Sequence, residues 1–234
     1  MTQVSRRSVP LILGPTAVGK TDLVHGVAKE LDAEIISADS RAIYEDLDIG
    51  TATPPPVYRS EVPYHLVSFL DPKLRYSAMD FREAVEEKLA EIRQKAKMPI
   101  IVGGSRLYII ALTRGIFEGP EADEELREEL RQVDNEELHS RLEKVDPKSA
   151  EKIHANDTKR LVRALEVFEL TGKPISALKD EAEPLSEDFT KVGLDRPREA
   201  LYRRINDRVE KMMNAGLMEE VKALVERGFC PDWG

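Results

Sequence analysis

Apolar positions along this chain recur with two periods, one of strands and one of helices. Val9 to Leu13 is a short apolar run that ends in a glycine-rich stretch, and Lys20 to Leu31 then carries apolar residues at helical spacing. The chain therefore opens as strand, loop and helix. Glu34 to Ser37 ends at Asp39-Ser40, and Pro99 to Val102 ends at Gly103-Gly104. Each reads as a parallel strand finishing in polar residues, the end of an open α/β sheet where ligands sit. Between them, Ala78 to Lys95 places Phe81, Val85, Leu89 and Ile92 three and four apart and predicts an amphipathic crossover helix. Tyr64 to Leu70, apolar between Pro63 and Asp71-Pro72, predicts a further strand.

From about Phe117 the pattern changes to charged helical segments without β-branched runs, at Asp123 to Val133, Glu136 to Lys144, Pro147 to Ile153 and Thr158 to Leu170. Gly172 and Pro174 stop the last of these, and Thr190 to Leu194 reads as a strand returning to the sheet. Arg198 to Arg227 is then helical with a break at Ala215-Gly216. The expected layout is an α/β core from residues 1–116 and 188–234, with an all-helical insertion at 117–187.

Gly14-Pro15-Thr16-Ala17-Val18-Gly19-Lys20-Thr21 matches the Walker A pattern, and its place between a strand and a helix makes the core P-loop NTPase-like, a parallel sheet flanked by helices. Glycines let backbone N–H groups close on phosphate oxygens. The helix N-terminus adds partial positive charge, Lys20 adds a point charge, and the Thr21 hydroxyl can ligate Mg²⁺. By itself the motif points to ATP. Asp39 should face the same cleft, able to hold a metal-bound water or accept a proton; as an isolated Asp it equally caps a turn. Ser105, after Gly103-Gly104, can donate to a leaving oxygen, though Gly-Gly-Ser is also a common turn with a helix cap.

Two basic groups stand out. Lys159-Arg160-Leu161-Val162-Arg163 puts Arg160 and Arg163 on one helical face, enough to meet successive phosphates or simply to be a solvated surface. Arg196, Arg198, Arg203, Arg204 and Arg208 form the second, in which Arg204 and Arg208, four apart, can reach the bound phosphates; exposed pairs with Glu199 and Glu210 are the alternative. His25, His65, His139 and His154 show no paired ligand spacing, which argues against zinc.

Composition narrows the rest. Apolar residues make up 41% of the 234 and charged residues 34%, the balance of a globular protein. No run approaches a membrane span, and Met1 to Arg7 holds no signal-peptide core, so the expected location is the cytoplasm. The lone Cys230 is read as structural or incidental. The net charge of −9 would repel a polyanion unless basic residues gather on one face.

Taken together, the phosphate loop, Ile36 to Ser40 with Ile43-Tyr44, Asp48 to Ala52, Tyr76 to Ala78 with Asp80-Phe81, Val102 to Ser105 with Leu107-Tyr108, Asn156-Asp157 with Arg160, and Arg163 to Val167 leading to Thr171 to Pro174 resemble the tRNA dimethylallyltransferases (tRNA isopentenyltransferases) in order and spacing. The resemblance covers nearly the whole chain, which stops near Cys230, short of that family's last basic helices. It implies transfer of a dimethylallyl group from dimethylallyl diphosphate, with Mg²⁺, to the exocyclic amine of the adenosine just 3′ of the anticodon, in tRNAs reading codons that begin with U. On this resemblance the loop from Gly14 to Thr21 cradles the diphosphate, Asp39 is the general base, and Ser105 replaces a usual Thr. Asp39, Ser40, Arg41, Ala42, Ser105, Arg127 and Lys159 to Arg163 meet the tRNA anticodon stem-loop, which the insertion grips, and the protein acts as a monomer. Ala42 and Arg106 also depart from the family pattern. Three other readings stay open: a transferase acting on free adenine nucleotides, a P-loop small-molecule kinase, and a non-catalytic tRNA-binding fragment.

Overall fold

The computed structural model describes residues 8–229, so the readings of Met1 to Arg7 and of Cys230 fall outside it. In chain order its elements are β1 (Val9–Leu13), α1 (Lys20–Glu30), β2 (Ala33–Ala38), α2 (Asp48–Thr51), α3 (Pro56–Glu61), β3 (Tyr64–His65), α4 (Ala78–Gln94), β4 (Met98–Gly103) and α5 (Arg106–Thr113). The helices α6 (Glu124–Arg131), α7 (Asn135–Val145), α8 (Pro147–Ala150), α9 (Thr158–Thr171) and α10 (Ile175–Asp180) follow. The described chain closes with β5 (Phe189–Gly193), α11 (Arg198–Asn214) and α12 (Leu217–Glu226).

All five strands run parallel in the order β3-β2-β4-β1-β5, so the P-loop strand sits between β4 and β5. β2 is buried along its whole length, as a strand covered on both faces must be. On one face Val24 and Ala28 of α1 pack with Ile35 and Ile100. Ile36 and Ile101, both at 0% exposure, alternate to the other face. α4 packs against β2 and β4, burying Phe81, Val85, Leu89 and Ile92, and the Phe81 ring stacks on Tyr108 of α5 at 3.9 Å. A reciprocal cap fixes where α4 begins: Asp80 N–H donates to Ser77 Oγ (3.1 Å) and Ser77 N–H to the Asp80 carboxylate (2.7 Å).

The strand expected from Tyr64 to Leu70 stops at His65. Leu66 and Ser68 take φ of 59° and 45°, which breaks the extended run, and Ser68 to Leu70 instead bond to the carbonyls of Ala42 and Ile43.

The chain divides into two compact units, one of the described residues through Thr113 and from Leu185 on, the other Arg114–Pro184. Leu185 falls with the sheet because its N–H donates to Leu112 O (3.0 Å), and Glu187 does so through its pair with Arg93 (2.5 Å). In the second unit every regular element is a helix, packed around Leu130, Leu138, Leu142, Leu161 and Leu165. Asp123, Asp134, Asp146 and Asp157 cap the N-termini of α6, α7, α8 and α9.

Candidate active site

β1 ends at Leu13 and the chain folds back at once into α1, whose N-cap, Gly19, has φ 104° and offers no side chain. The first amides of α1 are therefore left to an external acceptor, the arrangement that draws anions to helix N-termini. Close packing shapes the loop: a Cβ on Gly14 would lie 2.7 Å from the carbonyl oxygen of Leu194, just past β5. Lys20 Nζ donates to the carbonyls of Gly14 (2.8 Å) and Pro15 (2.9 Å), at the mouth of the loop. Burial lowers the Lys20 pKa; Asp39 opposes the shift and Arg208 reinforces it, so the three charges share one neighbourhood.

Two arginines brace the loop from outside. Arg196 Nε donates to Val18 O (2.7 Å) and Arg204 Nε to Ala17 O (2.6 Å), and each Nη2 lies 3.7 Å from where a Gly19 Cβ would stand. Arg208 sits deeper, its Nη2 3.4 Å from Thr51 O. The sequence grouped Arg196 with Arg204 and Arg208 but gave a reach to the phosphates only to the latter two; Arg196 precedes α11 and meets the loop because β5 lies beside β1.

Asp39 and Ser105 meet at the ends of β2 and β4. Asp39 Oδ1 accepts the N–H groups of Arg41 (2.8 Å) and Ala42 (3.3 Å), which fixes its orientation and leaves Oδ2 without a protein donor among the described residues. Ser105 Oγ accepts Ser40 N–H (2.8 Å) and lies 3.1 Å from Ser40 Oγ. A cavity of about 60 Å³ opens here, with Lys20, Thr21, Ser37 and Asp39 as its polar wall and Val24, Ala52, Pro54, Tyr64 and Val102 as its apolar wall. The Tyr64 hydroxyl is buried without a protein partner among the described residues, and burial raises its pKa. Ala42 is only 4% exposed, so its side chain belongs to this wall rather than to the outer surface.

The described residues contain no cluster of three or more His, Cys, Asp or Glu that could cage a metal. The donors present are a hydroxyl and a carboxylate, Thr21 and Asp39, both on the cavity wall. Such a set suits Mg²⁺, which takes oxygen ligands, keeps several waters and shares its shell with substrate phosphates.

In the helical unit, the expected run from Lys159 to Arg163 splits by burial. Leu161 and Val162 are core residues at 0% and 4% exposure. Arg163 and Arg127 both converge on the fully buried Glu166, at 2.6 and 2.8 Å. Lys159 and Arg160 remain exposed, the latter 3.3 Å from Asp157.

Residues 42–233 match the family model described as IPP transferase. The chain belongs to the IPP transferase family. Among curated relatives, it is 47% identical to a tRNA dimethylallyltransferase of Thermotoga neapolitana over 95% of this chain and 73% of the relative. It is 48% identical to one of Aquifex aeolicus, over 94% and 72%. Among solved structures, the chain resembles the following. One is a eukaryotic dimethylallyltransferase acting on tRNA (TM-score 0.80, 30% identity, 94% of this chain, 56% of that one). The other is the tRNA isopentenylpyrophosphate transferase of Bacillus halodurans (TM-score 0.61, 37% identity, 96% and 72%). No helix among the described residues is long and apolar enough to cross a membrane.

Proposed function

We propose that this chain is a tRNA dimethylallyltransferase, moving the dimethylallyl group of dimethylallyl diphosphate onto the exocyclic amine of the adenosine 3′ of the anticodon. The observation that carries this reading is one cavity whose polar wall joins Lys20 and Thr21 of the P-loop to Asp39 and whose other wall is apolar. The diphosphate lies in the loop from Gly14 to Thr21, its charge met by Lys20, Arg204 and Arg208 and, beyond the sequence expectation, by Arg196. The five-carbon group rests against Val24, Ala52, Pro54 and Tyr64.

Transfer breaks the bond between C1 of the donor and the bridging oxygen, whose electron pair leaves with the diphosphate. The amine lone pair forms the new N–C bond, and Asp39 Oδ2 takes the proton that the amine gives up. Lys20 and the arginines stabilise the charge that develops on the leaving group. Thr21 would hold Mg²⁺, which when bound supplies further positive charge there. Ser105 keeps Ser40, and with it the Asp39 turn, in place at the acceptor side.

On the acceptor side, Asp39 to Ala42 and Ser105 meet the flipped adenosine, which must leave its stack to reach the cavity. The unit Arg114–Pro184 grips the anticodon stem, with Lys159 and Arg160 meeting phosphates and Arg127 and Arg163 holding the surface that carries them. The protein acts as a monomer in the cytoplasm.

The test is incubation with dimethylallyl diphosphate, Mg²⁺ and unmodified tRNA whose anticodon is followed by adenosine, scored by mass gain on that base. Lys20→Ala and Asp39→Ala serve as controls, with AMP and ATP as competing substrates. Transfer to tRNA that both variants lose supports the reading. Modified AMP without modified tRNA, or ATP consumption with an alcohol acceptor, would replace it.

A further inference from the structure

α12 lies at the far end of the described chain, yet one of its carboxylates is turned onto the backbone of a four-residue helix at the cavity. Glu220 Oε2 accepts the N–H of Ile49 (2.7 Å) and Oε1 that of Gly50 (2.8 Å). These are first-turn amides of α2, whose own N-cap, Leu47, offers no side-chain acceptor. The chain runs from α2 directly into Ala52 and Pro54, two residues of the apolar wall.

The same segment is held from the other side. Asp48 Oδ1 accepts Thr53 Oγ1 (2.6 Å) and Ser68 Oγ (2.7 Å), and Arg59 approaches Oδ2 at 3.4 Å. Between these two carboxylates the backbone passes through Ala52 at φ 51°, a left-handed conformation that a residue with a Cβ keeps only when its surroundings hold it. The tie on one side comes from the body of the unit and on the other from the helix pair α11–α12.

We propose that Glu220 is a positioning residue for the donor end of the active site, latching α2 so that Ala52 and Pro54 stand against the five-carbon group. This rests on the transferase reading above. The latch also explains why α11 and α12 belong together: Arg204 on α11 braces the phosphate loop while Glu220 on α12 holds the opposite wall, so one helix pair sets the distance between them. Arg208, also on α11, reaches Thr51 O at the end of α2.

The test compares the wild type with Glu220→Ala, Glu220→Gln and Gly50→Ala. In Glu220→Ala the KM for dimethylallyl diphosphate rises about tenfold, with kcat and the KM for tRNA within about threefold of wild type, as loss of charged hydrogen bonds to a substrate-facing wall requires. Glu220→Gln keeps one accepting oxygen but turns an NH2 donor toward the other amide, so its donor KM falls between those of the wild type and Glu220→Ala. Gly50→Ala would bring a Cβ to 3.2 Å from Glu220 Oε1 and 3.4 Å from Leu217 Cδ1 and raises donor KM by a smaller factor without changing any charge.

Amide hydrogen exchange gives the second readout: Ile49 and Gly50 exchange faster in Glu220→Ala while α1 and β4 keep wild-type protection. An unchanged donor KM with unchanged exchange at Ile49 and Gly50 overturns the proposal, as does a parallel loss of both substrates together with faster exchange across the sheet. If the wild type itself transfers nothing, the transferase reading fails, and the exchange pattern alone then decides for or against the latch.

Discussion

Replacing Glu166 asks whether the arginines of the helical unit are structural or free to bind. Its carboxylate, at 0% exposure, lies 2.6 Å from Arg163, 2.8 Å from Arg127 and 2.9 Å from the N–H of Asp123 that opens the cap of α6. Glu166→Ala leaves Arg163 without its carboxylate partner, Arg127 with only the more exposed Glu124 at 3.3 Å, and one backbone donor without an acceptor. Breaking a buried pair from one side costs about 3–5 kcal/mol, and the partial exposure of both arginines (33% and 21%) puts the expectation near the lower end. A unit of roughly 70 residues has a stability of only about 4–10 kcal/mol, so the loss is a large share of it.

Glu166→Gln keeps the shape and loses the charge, at a cost of about 2 kcal/mol. Fluorescence cannot follow this, because the single Trp is Trp233 and no Tyr lies between 114 and 184. Hydrogen exchange of Thr158–Thr171 can. The linkage also has a sign. Burial by itself would raise the Glu166 pKa, but the bonds from Arg163 and Arg127 outweigh it and hold the group below its ordinary value. Its stabilisation is therefore complete above the unfolded carboxylate pKa of about 4.3 and is lost as pH falls through the lower folded value, and Glu166→Gln removes that acid slope. A drop in protection of less than about tenfold in Glu166→Ala, or an acid slope that survives in Glu166→Gln, would refute the reasoning.

Three further outcomes follow from the sheet unit. Asp39→Asn keeps the turn geometry but cannot take the amine proton, so single-turnover transfer falls about 100- to 10,000-fold with donor binding retained; equal loss of donor binding would argue for a metal-holding role instead. The kcat/KM for the donor falls at alkaline pH, with a midpoint below the 10.5 of an ordinary lysine, because burial, with Arg208 adding to it and Asp39 opposing it, lowers the Lys20 pKa. Lys20→Met loses that midpoint together with most donor affinity. Gly103→Ala destabilises the sheet by about 3 kcal/mol or more in thermal unfolding, since its Cβ would run into the carbonyl oxygen of Ala38 and lie 2.5 Å from the carbonyl carbon; a loss below about 1 kcal/mol would mean that β2 and β4 can part there.

Much of the sheet was legible because its strands are short apolar runs that stop at glycine or aspartate, as β1, β2 and β4 do. The long helices were legible from their period, and α9 also from its C-terminal end, where Gly172 takes φ 68° after the last turn. Several residues that carried the family resemblance do structural work of this kind, Ser77 with Asp80 among them. What local pattern could not give was anything created by distant packing. The left-handed turns at Leu66 and Ser68 follow from bonds to Ala42 and Ile43, and the reach of Arg196 follows from strand order. The short α2 and α3 carry no apolar period and bury no residue, so nothing in their composition announces them. Within the candidate site the phosphate loop and Asp39 were readable from position along the chain, whereas the split between buried and exposed members of Lys159 to Arg163 needed the helix to be seen from its core side.

The pairing of β1 with β5 also sets a clock. Val9 lies opposite Phe189, so the strand that carries the phosphate loop waits for a neighbour made about 180 residues later. At roughly 5–20 residues per second on the ribosome that wait is about 10–35 seconds, during which the whole segment Arg114–Pro184 emerges. Until then Gly14 has no Leu194 to pack against, and neither Arg196 nor Arg204 exists to brace the loop. Bracing of the phosphate loop is thus a late event in the life of the nascent chain, after the helical segment has already been made.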